Sequence, residues 1–80
     1  MIEEIAEVYD DFISRGAKPS PELEAYAGQV VRLRDAQRRL AAEGSVIADP
    51  KGNPIPHPAL QIERMAQDEI RKWKGKIRLP

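Results

Sequence analysis

The side chains of this sequence with the clearest capacity for chemistry are basic. Arg34 and Arg38 are four residues apart, which places them on one face of a helix. A second basic run extends from Arg71 to Arg78 and holds five bases in eight residues around Trp73. Because guanidinium and ammonium groups bind phosphate oxygens, both groups are candidates for contact with nucleic acid.

The arginines of the central helix divide into two sets. Asp35 lies close in sequence to Arg32 and Arg39, so we assign these three residues to a balanced, solvated face. On this assignment Arg34 and Arg38 have no acid on their own helix, and like charges at that spacing are mildly unfavourable without an external anion. DNA or an acidic partner segment would supply that anion. The main alternative source is helix 1 of a neighbouring subunit.

Part of the C-terminal basic run has a structural explanation. Basic residues near the end of a helix interact favourably with its dipole, and Asp68 lies one turn from Arg71. We expect Trp73 to contribute to the core rather than to stack on a base. The DNA-binding candidates are therefore the bases that we leave without a local acid: Arg34, Arg38, Lys74, Lys76 and Arg78.

No group of residues in the sequence supports an enzyme. His57 is the only histidine, and since it precedes a proline we expect a turn residue or a helix cap. Asp10 and Asp11 fall on a solvated helix face, and the glycines are scattered as caps and turns rather than gathered in a phosphate-binding loop. The chain has no cysteine, which excludes disulfides and thiolate metal sites. We expect no catalytic residue, no metal site and no cofactor.

Length and composition indicate one small globular domain. The 80 residues are 41% hydrophobic and 32% charged, which is typical of folded proteins near the lower size limit for a single core. No apolar run approaches the ~20 residues of a membrane-spanning helix. The acidic start is unlike a signal peptide, so we expect a cytoplasmic protein.

Charge is distributed unevenly along a chain whose net charge is zero. Residues 1–20 carry five acids and two bases, whereas residues 45–80 carry four acids and seven bases. This gradient either steers nucleic acid to the C-terminal part or docks the start of one subunit on the end of its neighbour.

Apolar periodicity predicts three helices in a single domain, residues 1–80. Helix 1 runs from Ile2 to about Arg15, and its apolar stripe is Ile2, Ile5, Ala6, Tyr9, Phe12 and Ile13. Helix 2 is the long helix of segment 20–44, with Ser20 as N-cap and Gly44 as its stop. Helix 3 occupies segment 58–75, with one face formed by Ile62, Met65, Ala66, Glu69, Ile70 and Trp73. The remaining segments are the first helix and turn (1–19), a crossover (45–57) and a tail (76–80).

Helix 2 also carries a heptad-like seam with one polar member. Its length is about 35 Å at 1.5 Å per residue, more than helix 1 is able to cover. We therefore expect this seam to mediate self-association, with Gln37 either solvated at its margin or specifying register. The candidate oligomer interface is Leu23, Tyr26, Val30, Leu33, Gln37 and Leu40.

The crossover is rigid rather than flexible, because four prolines fall within nine residues between Pro50 and Pro58. It forms either a short hairpin, with Val46–Ala48 against Pro54–Ile55, or an extended turn. Its apolar residues and its prolines both favour an ordered segment.

The order of these features resembles the small terminase subunit of tailed bacteriophages. The resemblance rests on Leu40-x-x-x-Gly44, the turn Lys51-Gly52-Asn53, His57-Pro58, and a helix containing Ile62, Ala66, Ile70 and Trp73. It implies a non-catalytic, ring-forming protein in the bacterial host cytosol that binds double-stranded viral DNA and presents it to the large packaging subunit. We expect an all-α fold of three helices with a long central helix. The alternative is a small helical oligomerisation or regulatory module that binds no nucleic acid.

Overall fold

A computed structural model of the protein describes residues 3–74. Their order is α1 (Glu3–Ser14), α2 (Pro21–Glu43), β1 (Val46–Ala48), β2 (Pro54–Pro56) and α3 (Ala59–Lys74). The prediction of three helices with a long central helix is confirmed. The crossover between α2 and α3 is the short hairpin, the first of the two forms that the sequence left open.

The turn between α1 and α2 is specified at both ends. Gly16 adopts φ 101°, a conformation that favours glycine. The N–H of Gly16 donates to the carbonyl of Ile13, and the N–H of Ala17 donates to the carbonyl of Phe12, each at 3.0 Å. These two bonds form a Schellman motif that ends α1 as the sequence predicts, and they bring Ala17 into the core at 6% exposure.

Helix α2 begins and ends at the predicted residues. The hydroxyl oxygen of Ser20 accepts a hydrogen bond of 3.0 Å from the N–H of Leu23, with Pro21 as the first helical residue. At the other end the N–H of Gly44 donates to the carbonyl of Leu40 at 2.8 Å, and Gly44 has φ 83°. The chain therefore turns sharply out of the helix and into β1.

Helix α1 packs antiparallel against α2 through a small apolar cluster. Val8, Ala27 and Val31 are its buried members, and the rings of Phe12 and Tyr26 lie 5.3 Å apart. Val8 was missing from the predicted stripe of helix 1, although Ile5, Tyr9 and Phe12 pack where the stripe places them. Ile2, the first member of that stripe, lies outside the described residues.

Helix α3 packs on α2 through alanines, so its predicted face is only partly correct. Ala59 and Ala66 are each 1% exposed on α3, and Ala36 is 1% exposed on α2. Met65, expected on the same face, is 60% exposed, and Ile62 is 37% exposed. The contact is centred on small residues that let the helices approach closely, which moves the larger side chains to its margin.

The hairpin between α2 and α3 is closed by one carboxylate and two backbone pairs. Oδ1 of Asp49 accepts hydrogen bonds from the N–H groups of Lys51 and Asn53 at 2.9 and 2.8 Å. Backbone hydrogen bonds of 2.9 Å also join Asp49 to Asn53 and His57 to Ser45. Both ends of the ladder are therefore fixed.

The prolines of β2 fall where the ladder needs no donor. Hydrogen-bonded pairs alternate along an antiparallel ladder, so the opposed residues Ile47 and Ile55 form the hydrogen-bonded pair between the two fixed ends. Pro54 and Pro56 then occupy the intervening positions, where a backbone N–H group would face away from β1. The sequence accordingly tolerates two prolines in a three-residue strand without losing a ladder bond.

We predict an alternating pattern of amide exchange in this hairpin. The amide protons of Ile47 and Ile55 should exchange slowly because each donates within the ladder, whereas those of Val46 and Ala48 should exchange quickly because they face outwards. Hydrogen exchange followed by NMR measures all four in one experiment. Equal, fast exchange at Ile47 and Val46 would contradict the register described here.

Candidate functional site

The guanidinium of Arg38 is held by a carboxylate from the first helix of the same chain. Its two terminal nitrogens donate to the two oxygens of Glu4 at 3.1 and 3.3 Å, a bidentate arrangement. Asp35 also lies 3.8 Å from Arg38, one helical turn away. The sequence interpretation that Arg38 has no acid on its own helix is therefore wrong, and helix 1 reaches it from within the chain.

This pairing changes the acidity of both groups. The hydrogen bonds from Arg38 are the main cause of a lowered pKa at Glu4, and the charges of Arg38 and Arg34 act in the same direction against partial desolvation. The same bonds raise the pKa of Arg38 above its usual value. The Glu4–Arg38 pair remains accessible to solvent, because the two side chains are 35% and 60% exposed.

Arg34 lies one turn earlier on α2 and is exposed. It borders a shallow depression formed with α1, which Glu7, Asp11 and Arg15 also line. Asp11 is already paired with Arg15 at 3.2 Å, and no ion pair within 4 Å involves Arg34 among residues 3–74. Arg34 is thus a cation at the α1–α2 boundary that remains available to an external anion.

The predicted balance around Asp35 is confirmed for one of its two arginines. Arg39 lies 3.3 Å from Asp35. Arg32 lines the groove between α2 and α3 together with Asp35 and Arg39, but it forms no ion pair with Asp35 within the described residues. The groove holds about 310 Å³ and its walls include the exposed apolar residues Ile62 and Met65.

Arg71 and Lys72, the two bases of the C-terminal run whose side chains the structure describes, lie in the last turn of α3. Arg71 pairs with Asp68 at 4.0 Å, and Lys72 pairs with Glu69 at 3.5 Å. Glu69 shares the α2–α3 groove with Gln29, so α3 runs antiparallel to α2 and its last residue, Lys74, lies towards the start of α2. Lys76 and Arg78 lie outside the described residues. Within one chain, Lys74 is therefore not brought next to Arg34 and Arg38.

The candidate oligomer seam of α2 is partly covered by the chain itself. Leu23 and Tyr26 are 0% and 7% exposed. Val30, Leu33 and Leu40 are half-buried, and Gln37 is exposed. The surface left to a partner consists of these last four residues.

The largest exposed apolar side chains are outside that seam. Met65 and Val46 are 60% and 61% exposed, followed by Ile62 at 37% and Ile55 at 36%. The sequence signal for Met65 and Ile62 was their apolar character on an amphipathic helix. Only the packing of α3 through alanines shows that they face outwards.

His57 caps α3, one of the two roles expected from the sequence. Its Nδ1 accepts a hydrogen bond of 2.9 Å from the N–H of Ala59, and the side chain is 7% exposed. A neutral ring in this arrangement carries its proton on Nε2. That atom is buried, with Oε2 of Glu43 at 3.4 Å. His57 therefore caps α3 and lies close to Glu43 at the end of α2.

Two further features are absent from residues 3–74. No group of three or more His, Cys, Asp or Glu side chains there is placed to hold a metal ion. None of the helices in this range combines the length and the apolar character that crossing a membrane requires.

Comparison with known proteins gives one match. The family model described as phage terminase, small subunit, matches residues 20–79. The match begins at Ser20, the N-cap of α2, so that it includes α2, the hairpin and α3 but not α1. No curated protein and no solved structure matches the chain.

We predict that Arg38→Gln raises the pKa of Glu4 towards its usual value of 4.5. Since the pKa of Glu4 is lowered in the folded protein, the stability contributed by the pair is present above pH 4.5 and is lost as the pH falls through the folded pKa. NMR titration of the Glu4 carboxyl carbon measures the change. Arg39→Gln is the matched control, because Arg39 pairs with Asp35 instead. An equal effect of the two substitutions would contradict the assigned pair.

Proposed function

The chain belongs to the phage terminase small subunit family, and we propose that it assembles with copies of itself, binds double-stranded viral DNA and presents that DNA to the large packaging subunit. The family match over residues 20–79 carries this proposal. Its place of action is the cytoplasm of the bacterial host.

The proposed role is non-catalytic. Small terminase subunits are generally non-catalytic, and the resemblance assigns ATP hydrolysis and DNA cleavage to the large subunit. The one buried histidine of the described region, His57, is a helix cap. What this chain contributes under the proposal is a surface for DNA and surfaces for other protein subunits.

Self-assembly is supported by the modest core of the single chain. Five of the nine buried apolar residues that the structure describes are alanines, and Leu23 is the only large side chain with less than 2% exposure among them. Burial of an alanine stabilises a fold much less than burial of a leucine, because less apolar area leaves water. Met65 and Ile62 meanwhile remain exposed beside the α2–α3 groove. We propose that a second copy of the chain covers this groove together with the exposed part of the α2 seam.

Charge supports the same assembly. Four acids of α1 are exposed, namely Glu3, Glu7, Asp10 and Asp11. The α2–α3 groove of a neighbour contains Arg32, for which the described residues show no ion pair, together with Arg39, Asp35 and Glu69. Arg32 is therefore the cation of this groove that is available to an acid of a neighbouring α1, in the head-to-tail contact that the charge gradient along the chain favours.

DNA binding under this proposal is electrostatic and depends on the assembly. A chain with zero net charge contributes only a few phosphate contacts. Repetition of Arg34 and Arg38 around a ring raises the effective concentration of these contacts and makes them sufficient together. The C-terminal candidates Lys74, Lys76 and Arg78 add a second set of proposed phosphate contacts.

We predict that Met65→Ser reduces the assembly without unfolding the chain. Met65 is 60% exposed in the single chain, so its loss costs little there, but removes apolar area from the proposed contact between copies. Light scattering gives the solution mass, and circular dichroism gives the helix content. Gln67→Ser is the matched control, since Gln67 is exposed on the same helix. A native protein that remains a folded monomer at about 100 μM, where micromolar association would be visible, would contradict the proposed assembly.

We predict that Arg34→Ala with Arg38→Ala weakens DNA binding similarly for all sequences and reduces its salt dependence. Each lost phosphate contact lowers the slope of log affinity against log salt by about one unit. Fluorescence anisotropy at several salt concentrations measures the DNA affinity and its salt dependence. The double variant Lys74→Ala with Lys76→Ala is measured in parallel, and light scattering checks that the mass of each assembly is unchanged. If neither pair alters binding, the DNA surface lies elsewhere. If the native assembly binds no DNA even at low salt, the oligomerisation module without nucleic-acid binding becomes the better interpretation.

A further inference from the structure

One of the proposed DNA contacts is occupied within the chain. Arg38 gives both terminal nitrogens of its guanidinium to the carboxylate of Glu4. Carboxylate and phosphate oxygens bind the same edge of a guanidinium in the same bidentate manner. A phosphate that approaches along this edge therefore meets a site that Glu4 already fills.

We propose that α1 is an autoinhibitory element, in which Glu4 competes with DNA phosphate for Arg38. The inference rests on the proposed DNA binding and adds its regulation. A phosphate contact at Arg38 then requires Glu4 to leave, and any change that moves α1 or removes the Glu4 carboxylate strengthens DNA binding.

The placement of α1 supports this role. The match to the small terminase family covers α2, the hairpin and α3 and begins at Ser20, so α1 lies outside it. Helix α1 nevertheless runs along α2 from Tyr26, whose ring lies against Phe12, to Arg38, so that it passes both candidate arginines. Its first turn brings Glu4 to Arg38, and Glu7 and Asp11 border the same depression as Arg34. An acidic helix thus lies directly beside the two cations proposed to bind DNA.

The geometry favours competition over a permanent block. The Glu4 and Arg38 side chains are 35% and 60% exposed, and exposed ion pairs in proteins are weak because water and salt screen them. DNA presents closely spaced phosphates with a stronger field than a single carboxylate. Glu4 therefore lowers the affinity for DNA without abolishing it, and the effect is repeated in every subunit of the assembly.

Glu4→Gln is the variant that tests the competition. It keeps the size of the side chain and its place on α1 but removes the charged acceptor, and we expect DNA to bind about two- to five-fold more tightly per subunit, a range set by the strength of exposed ion pairs. Glu3→Gln is the matched control. Glu3 and Glu4 are neighbours in the first turn of α1, so both variants remove the same charge from the same helix end. Of these two acids, only Glu4 pairs with Arg38.

The same two substitutions in an Arg38→Gln background complete the test. In an Arg38→Gln background, Glu4→Gln should give no more gain than Glu3→Gln, because the group for which Glu4 competes is absent. Anisotropy with one duplex DNA at one salt concentration measures all variants, after circular dichroism and light scattering have shown unchanged helix content and mass. A larger gain for Glu4→Gln than for Glu3→Gln that disappears with Arg38 supports the proposal.

The failures of the two proposals are distinguishable. If the native assembly binds DNA and loses affinity with Arg34→Ala and Arg38→Ala, but Glu4→Gln matches Glu3→Gln, then the competition is wrong and DNA binding stands. If the gain of Glu4→Gln persists without Arg38, the effect is one of overall charge and the competition is again wrong. If the native assembly and Glu4→Gln both bind no DNA at low salt, DNA binding itself is wrong and the competition fails with it.

Discussion

Close packing of α2 against two other helices is the constraint on which the rest of this structure depends. Alanines form much of the buried contact with α3, namely Ala36 on α2 and Ala59 and Ala66 on α3, whereas Val8 of α1 packs on Ala27 and Val31. Small side chains allow the backbones to approach, but each contributes little apolar burial. On α3 the larger side chains Ile62 and Met65 remain exposed. The same packing that defines the fold therefore leaves apolar surface exposed beside the α2–α3 groove.

The position of α1 follows from this packing and decides the electrostatics of the proposed DNA-binding surface. The short turn at Gly16 sends α2 back along α1, which places the first turn of α1 beside the second half of α2. Glu4 is acidic at a helix start, where a negative charge is favourable, and in this position it also reaches Arg38. One carboxylate thus interacts with the helix dipole and also pairs with a cation of the proposed DNA-binding surface.

The corner between α2 and α3 sets the second relationship, the antiparallel arrangement of the long helices. Asp49 closes the hairpin, and His57 caps α3 while its other ring nitrogen lies beside Glu43 at the end of α2. This corner contains several prolines and no ladder bond is lost to them. It fixes the position of α3 along α2, so that Met65 and Arg39 line one groove.

The sequence by itself determined the elements, because caps, stops and prolines act through local backbone geometry. Ser20, Gly16 and Gly44 define helix ends through hydrogen bonds within a few residues, and the amphipathic pattern indicates that each helix has a buried face. Only the tertiary structure decided which acid meets which base and which apolar residue stays exposed. Arg38 is 34 residues from Glu4 in the chain, and no periodicity within one helix reports a contact between two. Met65 and Ala66 are likewise neighbours on α3, and the angle at which α3 rests on α2 buries one and exposes the other.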